Sequence, residues 1–195
     1  DDDPSYNPLA YHLGTVWPVE QATFALGFKR YGLDDHLDRL VEAVLSAAFA
    51  SPDGRLPEAI AGHSRAALPI PVPYPAANVP QAWSASALIQ LVQIMLGLYP
   101  FAPLHALAIV RPRLPVWAPE LTLTRLRVGR SEVDLRFRRR PDGSASWSVG
   151  RRRGPLVVLV LSSNGQAVAA IGSARRPCSC AQRLASVRFA TSSLR

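Results

Sequence analysis

Glu58 lies between Pro57 and Ala59, with Gly62 and His63 close behind it. A carboxylate on a loop stiffened by proline can be held in one orientation without an ion pair. So held, it can act as a general base and take a proton from an attacking water. Two other blocks carry groups that complement it. Upstream runs Tyr11-His12-Leu13-Gly14-Thr15-Val16-Trp17-Pro18, and downstream Pro80-Gln81-Ala82-Trp83-Ser84. Rings, a carboxylate and amide or imidazole donors set among prolines and glycines make poor core material and good sugar-site material. A sugar offers hydroxyls to hydrogen-bond and flat C–H faces that stack on aromatic rings. Cleaving its glycosidic bond requires carboxylates. Trp17 and Trp83 are candidate stacking platforms, His12 and Gln81 candidate hydrogen-bond donors, and Glu58 the candidate catalytic base.

Each of these residues also has an ordinary structural reading. On composition alone Glu58 reads as a solvated loop glutamate. A tryptophan at a helix start commonly packs in the core. Gln81, just after Pro80, can cap a helix. Glu20, in the first turn of an expected helix, is favoured there by the helix dipole.

Other chemistries find little support. His12, His36, His63 and His105 show no metal-ligand spacing, so no metal or cofactor is expected. There is no nucleophile elbow, phosphate-binding loop or dinucleotide fingerprint. Cys178 and Cys180, one residue apart, suit neither a disulfide nor zinc. No apolar run reaches the roughly 18–20 residues of a membrane span, and the chain opens with no signal-peptide pattern. The expected location is the cytoplasm. Charge is split along the chain: residues 1–100 hold 5 Lys/Arg against 10 Asp/Glu, and residues 101–195 hold 17 against 4. That asymmetry suggests two pieces. Arg138-Arg139-Arg140 and Arg151-Arg152-Arg153 suit a solvated basic face better than a specific nucleic-acid site.

The elements that must position the chemistry are mostly helical at first. A helix is expected from Pro18 to about Arg30, with Gly32 as its C-cap and Trp17, Phe24, Phe28 and Tyr31 on one side. A second starts at Asp34 or Asp35, buries the stripe Leu37, Leu40, Val41, Val44, Leu45 and Ala48, and ends before the turn Ser51-Pro52-Asp53-Gly54. Residues 55–80 read as a long loop because Pro57, Pro69, Pro71, Pro73, Pro75 and Pro80 forbid helix and interior strand. A third helix is expected from Gln81 to Leu98, and a short one between Leu104 and Val110. Period-two alternation over 121–128 and 133–137, with runs at 147–149 and 156–161, predicts a small antiparallel sheet. The segment after Ser162, without an acidic residue, is expected to be poorly ordered.

The blocks Tyr11-His12-x-Gly14-Thr15-Val16-Trp17-Pro18, Leu56-Pro57-Glu58 and Gln81-Ala82-Trp83-Ser84, in that order, resemble the C-terminal part of bacterial glycogen-debranching proteins. These are amylo-alpha-1,6-glucosidase relatives whose catalytic domain is similar to the mannosylglycerate-hydrolase-like glycoside hydrolases. The resemblance covers roughly residues 5–150. It includes Arg127-Val128-Gly129 and Val133-Asp134-Leu135-Arg136-Phe137, which are similar to the family's short β ending. It implies a mainly α fold: residues 1–112 as the C-terminal portion of an (α/α)6 toroid, residues 113–161 as a small antiparallel β extension, and residues 162–195 as a basic tail. It implies an inverting two-carboxylate glycosidase acting on α-linked glucans or related glycosides. Glu58 matches the family's general base, and Tyr11, His12, Trp17, Gln81 and Trp83 match pocket-lining positions. The family's acid, an aspartate upstream of the Tyr-His block, has no counterpart in residues 1–10. Leu13 stands where many relatives carry Asn or Gln. The expectation is therefore a fragment, inactive alone, or a non-catalytic carbohydrate-binding or scaffold module.

Overall fold

The computed structural model describes residues 3–161 and 167–171. The chain divides into two compact units, Asp1–Ile94 and Met95–Arg195.

The first unit is helical with a long ordered loop. Helix α1 spans Pro18–Tyr31, with proline in its first turn and Gly32 closing it at φ 73°, a left-handed cap that suits glycine. Its buried residues are Pro18, Ala22, Ala25 and Lys29. The aromatic face expected of this helix is not the buried one: Phe24 and Tyr31 are exposed. Small side chains at helical spacing are buried in its place. Helix α2 spans Asp34–Ala50 and buries Leu37, Val41, Val44, Ala47 and Ala48, close to the stripe expected from its periodicity. Asp34 and Asp35 lie in its first turn, while Leu33 holds the cap position with no side-chain capping bond. The turn after α2 is a 3-10 turn over Pro52–Gly54. Helix α3 spans Ala82–Leu96. Gly97 ends it at φ 62°, where its backbone also meets the Val110 carbonyl so closely that no Cβ would fit.

The second unit is built on two sheets. Strands β1 (Leu98–Phe101), β2 (Ala106–Val110), β6 (Val157–Leu161) and β7 (Ala167–Ile171) form a mixed sheet in the order β1-β2-β6-β7. Strand β2 runs antiparallel to β1 and parallel to β6. Strands β3 (Glu120–Val128), β4 (Ser131–Arg139) and β5 (Ala145–Arg153) form an antiparallel meander. Strand β4 buries Val133, Leu135 and Phe137 on alternate positions, as period two requires.

The expected mainly α toroid is overturned. Among the described residues there are three α-helices and two β-sheets, which makes this a mixed α/β fold. The physical reason lies in residues 98–110. Ala106-Leu107-Ala108-Ile109 is a short, wholly buried apolar run, and periodicity alone does not separate such a run from a buried helix turn. It forms a strand, not the short helix expected over 104–110, because β6 supplies a parallel neighbour. Pro100 sits in β1 at the sheet's edge, where a missing N–H is tolerated. The run 156–161, expected to extend the meander, pairs with β2 in the other sheet. The tail expected to be poorly ordered lies outside the described residues, except for β7, which pairs antiparallel with β6.

Candidate functional site

The three blocks singled out in the sequence converge within the first unit. Main-chain bonds lace the proline-rich loop to its neighbours. Val16 and Ile60 exchange N–H···O bonds of 2.8 and 2.9 Å, Tyr74 N–H donates to the Ala59 carbonyl at 3.0 Å, and Glu58 N–H donates to the Asn78 carbonyl at 2.9 Å. The buried Ser84 hydroxyl donates to the Pro57 carbonyl at 2.8 Å, which ties the start of α3 to the residue before Glu58. Gly62 stands against the Gly14 carbonyl, and a Cβ at position 62 would overlap it. The Tyr6 hydroxyl donates to the Gly62 carbonyl. A segment barred from regular structure is thus fixed by its own polar backbone groups.

Glu58 is only 7% exposed. Its Oε1 accepts a hydrogen bond from the Tyr11 hydroxyl at 2.8 Å. Its Oε2 accepts two from Asn78, from the side-chain amide at 2.8 Å and from the main-chain N–H at 3.2 Å. The Tyr11 bond, then the Asn78 bonds, pull the Glu58 pKa below the usual carboxylate range, against an opposing push from burial. The same bond to Glu58, reinforced by burial, raises the Tyr11 pKa. Glu58 is therefore a carboxylate at neutral pH.

Aromatic rings crowd the same place. The Tyr11 ring lies 4.6 Å from His12, 4.6 Å from Trp17 and 5.5 Å from Tyr74. His12 is parallel to Trp17 at 5.7 Å, and Trp83 meets Trp17 edge-on at 5.8 Å. Trp17 is 8% exposed, and its Nε1–H is shared between the Tyr11 carbonyl and the Thr15 hydroxyl. It is a wall of the site and not a free platform. Trp83 is 43% exposed and His12 is exposed, so these two offer accessible ring surface. Gln81 turns back on the chain: its Oε1 accepts the Ala82 N–H at 2.8 Å, the helix-start role. Tyr74 and Asn78 were not foreseen. Asn78 follows Glu58 by twenty residues across a loop without periodicity, and no signal in the sequence marks it.

A separate groove of about 730 Å³ in this unit is lined by residues of α1, α2 and the loop, including His36, Arg39, His63 and Arg65. Glu58, Tyr11, Trp17 and Trp83 do not line it. It has no carboxylate in its walls, and Glu58 stands apart from it. Among the described residues, no three His, Cys, Asp or Glu side chains are grouped to hold a metal ion. No helix among them is long and apolar enough to cross a membrane.

The chain was compared with family models and with curated proteins, and matches none of either.

Proposed function

We propose that the Glu58 cluster is the base half of a cytoplasmic glycoside hydrolase site for α-linked glucans or related glycosides. The observation that carries this reading is a nearly buried glutamate side chain that shares one cluster with Tyr11, His12, Trp17 and Trp83. The resemblance of the three sequence blocks to the amylo-alpha-1,6-glucosidase relatives supplies the substrate class. Glu58 takes a proton from water, whose oxygen bonds the anomeric carbon from the face opposite the leaving group. His12 and Trp83 meet the sugar, and Trp17 backs them. The acid that protonates a sugar leaving group is assigned to no residue of this chain.

That division of labour gives a test. Fluoride leaves without needing a proton, so α-glucosyl fluoride requires only the base. The water's proton goes to Glu58, a C–O bond forms as the C–F bond breaks, and fluoride departs with the electron pair. The chain is expected to release fluoride and β-glucose from this compound while leaving isomaltose intact. Glu58→Gln is expected to slow fluoride release by about 10²–10⁴-fold. Fluoride release unaffected by that substitution contradicts the reading.

A second reading has its own observation. Both Glu58 oxygens already accept protein hydrogen bonds, as suits a structural carboxylate in a non-catalytic carbohydrate-binding module. In that case the chain binds sugar and releases no fluoride.

A further inference from the structure

We propose that Asn78 is the positioning residue of this base: it occupies Oε2 of Glu58 with two donors, so that Oε1 alone takes the proton from water. This rests on the reading of Glu58 as a general base.

A carboxylate offers about four lone-pair sites, two on each oxygen. Oε2 accepts both the Asn78 side-chain amide and the Asn78 main-chain N–H, at 2.8 and 3.2 Å. Oε1 accepts one bond, from the Tyr11 hydroxyl at 2.8 Å. One site therefore remains, and it is on Oε1. The Asn78 carbonyl in turn accepts the Glu58 N–H at 2.9 Å, so the residue grips both ends of the glutamate. With Oε2 saturated and the main chain fixed, rotation of the carboxylate would break charge-assisted bonds without replacing them. The side chain is thus locked with one basic atom available. The cost is basicity, because every donor to the carboxylate favours its charged form.

A merely structural asparagine would hold the loop without setting the proton affinity of Glu58. The two roles separate in a comparison of Asn78→Ala with Ser84→Ala, which loosens the same segment by deleting the Ser84 bond to Pro57 and touches no carboxylate oxygen. Two readouts are followed on the full chain: the pH profile of fluoride release from α-glucosyl fluoride, and the pH titration of the Glu58 side-chain carboxyl by ¹³C NMR. Activity requires ionised Glu58, so its acidic limb rises through the Glu58 pKa. Asn78→Ala is expected to move that limb and the NMR titration to higher pH. It should also lower kcat about tenfold, the scale of one hydrogen bond to a charged group, with KM nearly unchanged. Ser84→Ala is expected to lower the melting temperature and shift neither curve. If Asn78→Ala does not fold, Asn78→Asp keeps the shape and removes the amide donor, with the same upward shift expected. A Glu58 titration unmoved by either Asn78 substitution overturns the proposal. Absence of fluoride release in the unaltered chain overturns the glycosidase reading, and with it the proton-accepting role of Oε1, whereas an unmoved NMR titration strikes the Asn78 assignment alone.

Discussion

At the scale of the residue, the site is a hydrogen-bond balance around one carboxylate. Folding lowers the Glu58 pKa and raises that of Tyr11, chiefly through the bond between them. The consequences for stability have opposite signs in pH. Between the folded and unfolded pKa values of Glu58 the unfolded chain binds more protons. Its contribution is therefore complete above the unfolded carboxylate value of about 4.3 and is lost as pH falls through the folded value. For Tyr11 the folded chain binds more protons. That contribution is complete below about pH 10 and is lost as pH rises through the raised value. Thermal melts across pH should show Glu58→Gln destabilised relative to the unaltered chain at neutral pH, with the difference shrinking in acid. A difference constant from neutral pH down through the acid range contradicts the coupling. Glu58, His12 and the two tryptophans stand out by residue type and spacing, and Tyr11 only through the resemblance of its block. Asn78 does not stand out, because its bond to Glu58 depends on how a proline-rich loop folds back, which no periodic pattern encodes.

At the scale of the element, the loop over 55–81 is the part that assembles the site, and it depends on a close approach of two glycines. Gly62 lies where a Cβ would collide with the Gly14 carbonyl and crowd the Tyr6 hydroxyl. Gly62→Ala is expected to cost about 1–3 kcal/mol, as overpacking does, and to part the block containing His12 from the one containing Glu58. Urea unfolding read by tryptophan fluorescence measures the first effect. A midpoint equal to that of the unaltered chain contradicts it. The helices were readable in advance where caps and stripes agree: Gly32 after α1, the Leu37–Ala48 stripe of α2, the turn at Pro52–Gly54. The strands of the meander were readable by alternation. The β1-β2-β6 arrangement was not. Pairing β2 with β6 joins residues about fifty positions apart, and a five-residue apolar run carries no mark of its partner. The buried side of α1 is hidden from residue type for a related reason. The large rings suggested the buried face, but the helix buries alanines at 22 and 25, where small side chains permit close packing.

At the scale of the whole molecule, much large apolar surface meets water. Phe49 is 75% exposed, Ile89 72%, Tyr31 67% and Ile70 65%. Each large apolar side chain gains about 1.5–3 kcal/mol when fully buried, so a partner surface that covered several would be held firmly. The chain at tens of micromolar is expected to self-associate in sedimentation velocity, and Phe49→Asp together with Ile89→Lys to weaken that association. A monodisperse monomer at all concentrations contradicts it.

The central claim is that a sugar meets the ring surface beside Glu58. Titration with isomaltose, followed by NMR of the indole and imidazole resonances, tests it most directly. The chain has four tryptophans: Trp17 and Trp83 in the first unit, Trp117 and Trp147 in the second. Saturable shifts of Trp83 and His12 are expected, with smaller ones of Trp17 and silence from Trp117 and Trp147. Shifts confined to Trp117 or Trp147, or no saturable shift at Trp83, would contradict that claim.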